Sequence, residues 1–470
     1  MKLGKLSLVA VMALGTSAFA IDNVKVSGDV KVIYQTSDVE VRSTDAVAGV
    51  LPESGMFENG NQVPLQVSPY NGSSAGGISG RIGVTADLLK AVSAGAEVQM
   101  YTTLGLENNV FNDNMVNTPH ATTGFSDNAS SSFDGRTQDA SNISQLWLAT
   151  TLGKTTLKAG RMELDTPLLF TEKWNIAYNT FEAVVAINTD LPNTTLVGAW
   201  VGKHNGHGSW HEAFGDITVG AAGPNEGGFL LAGSPGRTVD MNSFNTFYTG
   251  GAYAAGAVNT SIPNTTLQAW YYNVVNIADA LWFQADTKIA GMVSVGGQYA
   301  TMATKGGGEV VQNAVYPTTD DSKIWAVKAG VDVSGVNLYA AYSSADNDGL
   351  LGFANTSTGD KTKIYTGTDS IYFDGVVTAP GVDTYKIGAA GSVAGVKLAA
   401  AYVNCEDNFD KTVDGFNVTA STNVGNLGLM AIYEQVNNDQ DITKLPSTVG
   451  QPFYKGRDID TLRFVASLKF

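Results

Sequence analysis

Apolar and polar residues alternate with a period of two along much of this chain. In NVKVSGDVKVIYQ, residues 23–35, Val24, Val26, Val30, Val32 and Tyr34 share one face, and Lys25, Ser27, Asp29, Lys31 and Gln35 share the other. ISGRIGVTADL sets Ile78, Ile82, Val84, Ala86 and Leu88 against Arg81, Thr85 and Asp87, and AGAEVQMYT sets Ala96, Val98 and Met100 against Glu97, Gln99 and Tyr101. The ending DIDTLRFVASLKF places Leu462, Phe464, Ala466, Leu468 and Phe470 on one side. Thr461, Arg463, Ser467 and Lys469 fall on the other, interrupted only by Val465. Successive side chains of a strand point to opposite faces, so each segment predicts a strand with one apolar and one wet face. Such a strand suits a wall between lipid and a watery lumen. A soluble sandwich strand would alternate similarly, so periodicity alone leaves both open.

The connections narrow the choice. Short links stand at 152–154 (LGK), 190–193 (DLPN), 261–264 (SIPN), 333–336 (VSGV), 393–396 (VAGV) and 424–426 (VGN). Between them run long polar segments near 105–140, 204–245, 303–321, 346–380 and 437–457. Tight turns alternating with large loops predict an up-and-down, all-β transmembrane barrel of antiparallel strands. Candidate strands number about 18, within the even-numbered range of bacterial barrels and wide enough for an aqueous channel unless a loop narrows it. Two internal echoes support a meander of repeated hairpins. LPNTTLVGAWVG resembles IPNTTLQAWYYN, and SGVNLYAAYSSAD resembles AGVKLAAAYVNCED, each a short turn feeding a strand with aromatic residues toward its far end.

The first twenty residues, MKLGKLSLVAVMALGTSAFA, have the three parts of an export signal: Lys2 and Lys5, an apolar run from Leu6 to Leu14, and small Ala18 and Ala20 before a cut. The expectation is a cleaved leader over 1–20 and a single barrel domain over 21–470. Beyond the leader no apolar stretch reaches membrane-helix length. Mean hydropathy is −0.01, as expected when every second residue of a wall faces water.

The 470 residues hold 44 acidic against 28 basic side chains, a net charge of −16. That balance excludes a nucleic-acid binder, which needs clustered Lys and Arg. In a channel it favours cations if the charges sit at the pore or its mouth, and otherwise keeps outer loops soluble. Cys405 is the only cysteine, which excludes a disulfide framework. His204, His207 and His211 cluster in HNGHGSWH with Glu212 beside them, but the spacing matches no defined metal motif. With His120 they fall in expected loops without a defensible Ser or Asp partner, so no enzyme is expected.

One segment reads as a constriction. After TTLKAGR, the stretch ELDTPLLFTEKWNIAYN returns as TFEAVVAIN. A segment folded into the lumen needs apolar anchors against the wall, here Leu168, Leu169, Phe170, Trp174 and Ile176, and charges left to the water path. The loop candidates are Glu163, Asp165, Glu172 and Lys173, and the facing-wall candidates are Arg81, Glu97 and Arg161, since charges at a narrowing set ion preference. Any one of them alone reads more simply as a solvated lumen or rim charge.

Residues 160–206, GRMELDTPLLFTEKWNIAYNTFEAVVAINTDLPNTTLVGAWVGKHNG, resemble the third-loop region of the major outer-membrane porins of Campylobacter-like bacteria, relatives of the outer-membrane-porin-D type. The opening MKLGKLSLVA and the short-turn strands are also similar, while the long loops are not. The resemblance implies an outer-membrane channel, trimeric, passing small hydrophilic solutes and ions with cation preference. A substrate-specific channel or a surface adhesin on the same barrel is the alternative. The terminal Phe470 resembles the signal read by the barrel-assembly machinery, which would be a partner along with outer-membrane lipid. No cofactor is expected. Calcium is associated with the family and would seek carboxylate-rich loops such as 407–410 and 437–441, although neither matches a defined loop motif.

Overall fold

The computed structural model describes residues 22–41, 56–58, 61–63, 73–102, 140–206, 244–247, 250–310, 320–349, 351–358, 361–368, 377–407, 412–438 and 457–470. Eighteen antiparallel strands form one closed ring. The first six are β1 (Asp22–Val41), β2 (Ser73–Leu89), β3 (Val92–Thr102), β4 (Ala140–Leu152), β5 (Thr155–Met162) and β6 (Phe181–Asn188). Next come β7 (Thr194–His204), β8 (Ala252–Asn259), β9 (Thr265–Val274), β10 (Ala278–Ile289), β11 (Val293–Thr304) and β12 (Ser322–Val333). The last are β13 (Val336–Ala345), β14 (Val382–Val393), β15 (Val396–Asp407), β16 (Thr412–Val424), β17 (Leu427–Asn438) and β18 (Arg457–Lys469). Each pairs with its neighbours in sequence, and β1 pairs with both β2 and β18, which removes every free edge. A two-residue stub, Asn245–Thr246, extends the edge of β7.

The six short links anticipated in the sequence all lie at one end. Backbone geometry explains their composition. Ser334 and Gly335, like Ala394 and Gly395, take positive φ (51° and 85°; 51° and 83°), the conformation that lets a two-residue turn follow the right-handed twist of its flanking strands. Asn193 and Asn264 adopt φ of 52° and 57° in the DLPN and SIPN turns, where asparagine tolerates the left-handed region well. The opposite end carries the long connections. Two links there are short, however: β9 to β10 through 275–277 and β15 to β16 through 408–411.

The wall has the two faces that alternation demands. Val24, Val26, Val30, Val32 and Tyr34 are exposed on the outside, whereas Asp29, Lys31 and Gln35 are buried on the inside. On β18, Phe464, Leu468 and Phe470 are exposed outward and Thr461 and Arg463 are buried inward. An apolar exterior and a polar interior define a transmembrane barrel rather than a soluble sandwich, whose apolar faces would pack together. Among the described residues no helix is long and apolar enough to cross a membrane.

The last residue extends the closing seam. Phe470 donates its N–H to the Gly28 carbonyl at 3.0 Å, and Gly28 returns an N–H to the Phe470 carbonyl at 2.9 Å. The Phe470 ring lies over Gly28: a Cβ there would stand 2.7 Å from the ring and 2.3 Å from the Arg81 carbonyl. Only glycine leaves room for both. Deleting Phe470 removes two backbone bonds, each worth about 1 kcal/mol net, at the seam between first and last strands. The deletion is expected to lower the yield of heat-modifiable folded barrel on cold SDS gels while export to the periplasm continues. Undiminished yield would refute the role assigned to this seam.

Candidate functional site

Two segments leave the loop end of the wall and fold inward. The first, residues 163–180, joins β5 to β6. It turns tightly on itself: Thr166 and Thr171 donate N–H groups to the Leu169 and Leu164 carbonyls at 2.9 and 2.8 Å, and Asp165 bridges to Phe170. Leu168, Leu169, Phe170 and Ile176, expected as anchors, are all buried. Leu168 and Leu169 join Met162, Phe181, Tyr272 and Trp282 in an apolar cluster inside the barrel. Ile176 and Ala177 pack on Ile33, Tyr101 and Val465. Ile33 and Val465 are direct partners across the closing seam. These inward apolar residues depart from strict alternation, and they form the floor on which the loop rests.

Polar groups from the wall fasten the same segment. Lys31 donates through Nζ to the carbonyls of Lys173 and Asn175, both at 2.9 Å. Gln99 holds Tyr178 with two bonds, donating to its carbonyl at 3.0 Å and accepting its N–H at 3.3 Å. The Arg81 guanidinium lies 4.2 Å from the centre of the Tyr178 ring, a cation–π contact. Burial pushes the Tyr178 hydroxyl above its usual range against the opposing pull of Arg81, so this side chain stays neutral.

The charges anticipated in the sequence divide into three groups. Arg81, Glu97, Glu163 and Lys173 come together. Arg81 pairs with Asp29 at 2.7 Å, Glu163 at 3.3 Å and Glu97 at 3.7 Å, and Lys173 pairs with Glu163. Asp165 stands apart, its carboxylate largely exposed and paired with Lys363 at 2.7 Å. Glu172 and Arg161 lie elsewhere than at the water path. Glu172 is buried, accepting from Asn355 Nδ2 at 2.8 Å, Trp174 Nε1 at 2.7 Å and the Thr358 hydroxyl. Arg161 is on the outer face, directly opposite exposed Leu146 in the ladder, and pairs with Glu182 at 2.8 Å. Its strand alternates, so Arg161 shares the outward side with Leu157.

The second inward segment, residues 351–358 and 361–368 between β13 and β14, was not anticipated as a lumen element. Its apolar residues Leu351, Phe353 and Ile364 are buried in the inner cluster. Gln298 donates to the Lys363 carbonyl at 2.8 Å and accepts the Tyr365 N–H at 2.9 Å. The Tyr365 hydroxyl donates to Asp286 at 2.8 Å, and Lys328 pairs with the same carboxylate at 2.6 Å. Burial, followed by the hydrogen bond to Asp286 and then its charge, holds the Tyr365 hydroxyl above its usual range. Lys386 donates to the Gly367 carbonyl. Asn355 reaches across to the first segment, donating to the Phe170 carbonyl and to Glu172, both at 2.8 Å. Asn179 closes the joint, donating to Ser357 at 2.7 Å. The lumen is thus narrowed by two loops locked together around the Glu172 carboxylate. The same signal used for the first loop, apolar residues inside a polar connection, was present in Leu351, Phe353 and Ile364.

Among the described residues no group of three His, Cys, Asp or Glu side chains is placed to hold a metal. His204 is buried against Phe247. His120, His207, His211 and Glu212, with calcium candidates 408–410 and 439–441, lie outside the described residues.

No family model and no curated protein matches this chain. Solved structures do. Pseudomonas aeruginosa OccK8 (OprE) superposes with a TM-score of 0.64 at 13% identity, covering 96% of this chain and 99% of that one. Acinetobacter baumannii OccAB3 gives 0.64 at 12% identity, over 95% and 100%. Pseudomonas aeruginosa OccK1 (OpdK) gives 0.62 at 11%, over 95% and 98%. At these identities the likeness establishes a shared fold.

The Glu172 joint gives a direct test. Glu172→Leu removes the acceptor shared by Asn355, Trp174 and Thr358, at about 1–3 kcal/mol for each buried hydrogen left unsatisfied, so the two loops should separate. Greater flicker in single-channel records and protease cleavage within 163–180 are expected. Glu172→Gln keeps the shape and the oxygen to which Asn355 and Thr358 donate but loses the acceptor for Trp174, so a smaller effect on both readouts is expected.

Proposed function

We propose that this protein is an outer-membrane porin, a water-filled channel through which small hydrophilic solutes and ions diffuse passively. The observation that carries the reading is the pair of inward loops, which narrow a charged lumen inside a wall whose exterior is apolar. Such an arrangement limits solute size through the loops and sorts charge through Arg81, Glu97, Glu163 and Asp165. The overall likeness to OccK8 and OccAB3, over nearly the full length of each chain, fits the same architecture.

Cation preference is the finer part of the proposal. At the loops the charges are paired, acid against base, so the narrowing itself offers no large excess of either sign. The sequence carries further acid in the polar link between β3 and β4, among it Glu107, Asp113, Asp127, Asp134 and Asp139. A mouth rich in carboxylates raises the local concentration of cations before they reach the loops. A second reading is favoured by Lys361 and Lys363 on the inner loop near Lys328 and Lys386: a channel selecting small anionic solutes. OpdK is known in a structure with vanillate.

Planar-bilayer recording separates these readings. Conductance steps from the purified barrel are expected, with reversal potentials in a salt gradient of the sign set by cation flow. Their absence from folded protein would refute the porin assignment. Asp165→Asn leaves Lys363 uncompensated and should lower the cation-to-anion permeability ratio about two- to threefold, the effect of one unit charge at roughly 6 Å in water. Anion-selective currents blocked by vanillate would favour the second reading.

A further inference from the structure

Exposed rings such as Trp200, Tyr253, Tyr299, Trp325, Tyr385 and Phe416 border the outer wall on its loop side. They mark where the wall leaves the hydrocarbon layer, and long loops mark the external side of such a barrel. Outward charges just beyond this border therefore stand at the depth of outer-leaflet headgroups, and they are unevenly spread. From β10 to β18 the rim carries Asp279, Asp346, Asp383, Glu406, Asp414 and Asp460. Asp383 and Glu406 stand directly opposite each other in the ladder. Among the described residues the cations of this sector are Lys305 and Lys323. Each has an acid of its own, Asp279 at 2.6 Å and Asp346 at 3.7 Å. This sector repels an anionic headgroup.

The rim of β5 to β7 is the reverse. Arg161, Glu182 and Lys203 lie side by side on the outward face, each opposite the next in the ladder. Two cations here share one carboxylate. Arg161 pairs with it at 2.8 Å, donates to the Ile143 carbonyl at 2.6 Å, and lies against the ring of Phe244. Lys203 approaches the same carboxylate only to 3.8 Å, and its side chain is 46% exposed. Among the described residues its ammonium makes no hydrogen bond, although it carries three donors. Next to this row the wall is aliphatic. Leu146 stands opposite Arg161, and with Val98, Ile143 and Leu148 it is exposed outward. Among the described residues of β2 to β6 no outward position carries Tyr, Trp or Phe.

We infer that Arg161 and Lys203 bind the phosphate of an acylated glycolipid of the outer leaflet, whose chains lie along the outer face of β3 and β4. The inference rests on the membrane-channel reading above. Complementarity of charge selects this occupant. Phosphate oxygens are strong acceptors for ammonium and guanidinium donors, and Lys203 presents such donors at headgroup depth. The surplus positive charge lies beside aliphatic rows, against which flexible acyl chains make dispersion contacts along their length. The acidic rim from β10 to β18 turns the same headgroup away, so the site is confined to one sector of the barrel.

The experiment titrates the barrel purified from outer membranes, exchanged into detergent free of native lipid, with lipid A in native mass spectrometry. A one-to-one complex is expected. Lys203→Gln, which breaks no hydrogen bond among the described residues, should weaken it about fivefold, the worth of one basic residue at a membrane surface. Arg161→Gln with Lys203→Gln should weaken it about thirtyfold on the same scale, and removing the phosphates from lipid A should do as much. Lys305→Gln with Lys323→Gln, in the acidic sector, should bind as the native chain does. Binding indifferent to the phosphates, binding undiminished in the Arg161 and Lys203 variants, or equal loss from both double variants would overturn the inference. So would crosslinks to a second copy or another protein in place of lipid, from p-benzoylphenylalanine set at Leu146 in native outer membranes. Heat modifiability on cold gels reports the folding of each variant. Single-channel steps persisting in the Arg161 and Lys203 double variant keep loss of the lipid distinct from loss of the pore.

Discussion

Everything in this molecule follows from the requirement that no backbone N–H or C=O face hydrocarbon unpaired. A sheet meets that requirement only by closing, and closing needs the first and last strands to find each other. The seam between β1 and β18, ending in the reciprocal Gly28–Phe470 bonds, is where the condition is satisfied. Once eighteen strands close, the interior is too wide for side chains from the wall to fill. An open bore of that width would pass solutes with little discrimination. Inward loops are therefore the natural complement of the seam, and the first of them rests on it, with Ile176 and Ala177 against Ile33 and Val465.

That contact changes how irregularities in a strand pattern are read. Val465 interrupts an otherwise clean alternation, and Ile33 does the same on the facing strand. Considered as strand residues they are blemishes. In the barrel they are the apolar floor under a loop, and the flanking polar residues Lys31 and Gln99 fasten its backbone. The loop position is thus encoded in the wall as much as in the loop. The charges then sort by depth: Glu172, enclosed by donors from both loops, is structural, whereas Asp165 is left to solvent.

The barrel was legible because its signal is local. Period-two patterning, turn chemistry such as Ser334–Gly335, and alternating link lengths are each visible within a dozen residues. The first inward loop was legible for the same reason, since Leu168, Leu169 and Phe170 make a conspicuous apolar run in a polar connection. The second loop spreads its anchors over Leu351, Phe353 and Ile364 among threonines and glycines, so its inward path emerges only from pairing with Phe170 and Glu172, nearly two hundred residues away. Arg161 was misplaced for a subtler reason. A charged residue next to a lumen loop is naturally assigned to the lumen, but strict alternation through Leu157 to Arg161 turns it outward, and only the register against Leu146 reveals this.

The outward position of Arg161 acquires meaning from the ruler that membrane thickness imposes on the wall. Each hairpin starts at the same end, so counting six or eight residues from the turn reaches the same boundary on the eleven strands β7 to β17, and the residue found there is aromatic. A fixed count returning the same chemistry around most of a ring fits the boundary of a hydrocarbon layer. On five adjacent strands, β2 to β6, the count returns Ile82, Val98, Leu146, Arg161 and Glu182 instead. There Arg161 and Glu182 offset each other's charge by pairing at 2.8 Å. On the inner face, Ile33 and Val465 show what such departures mean: residues that break the pattern mark where the wall meets something other than water or lipid, here the inward loop.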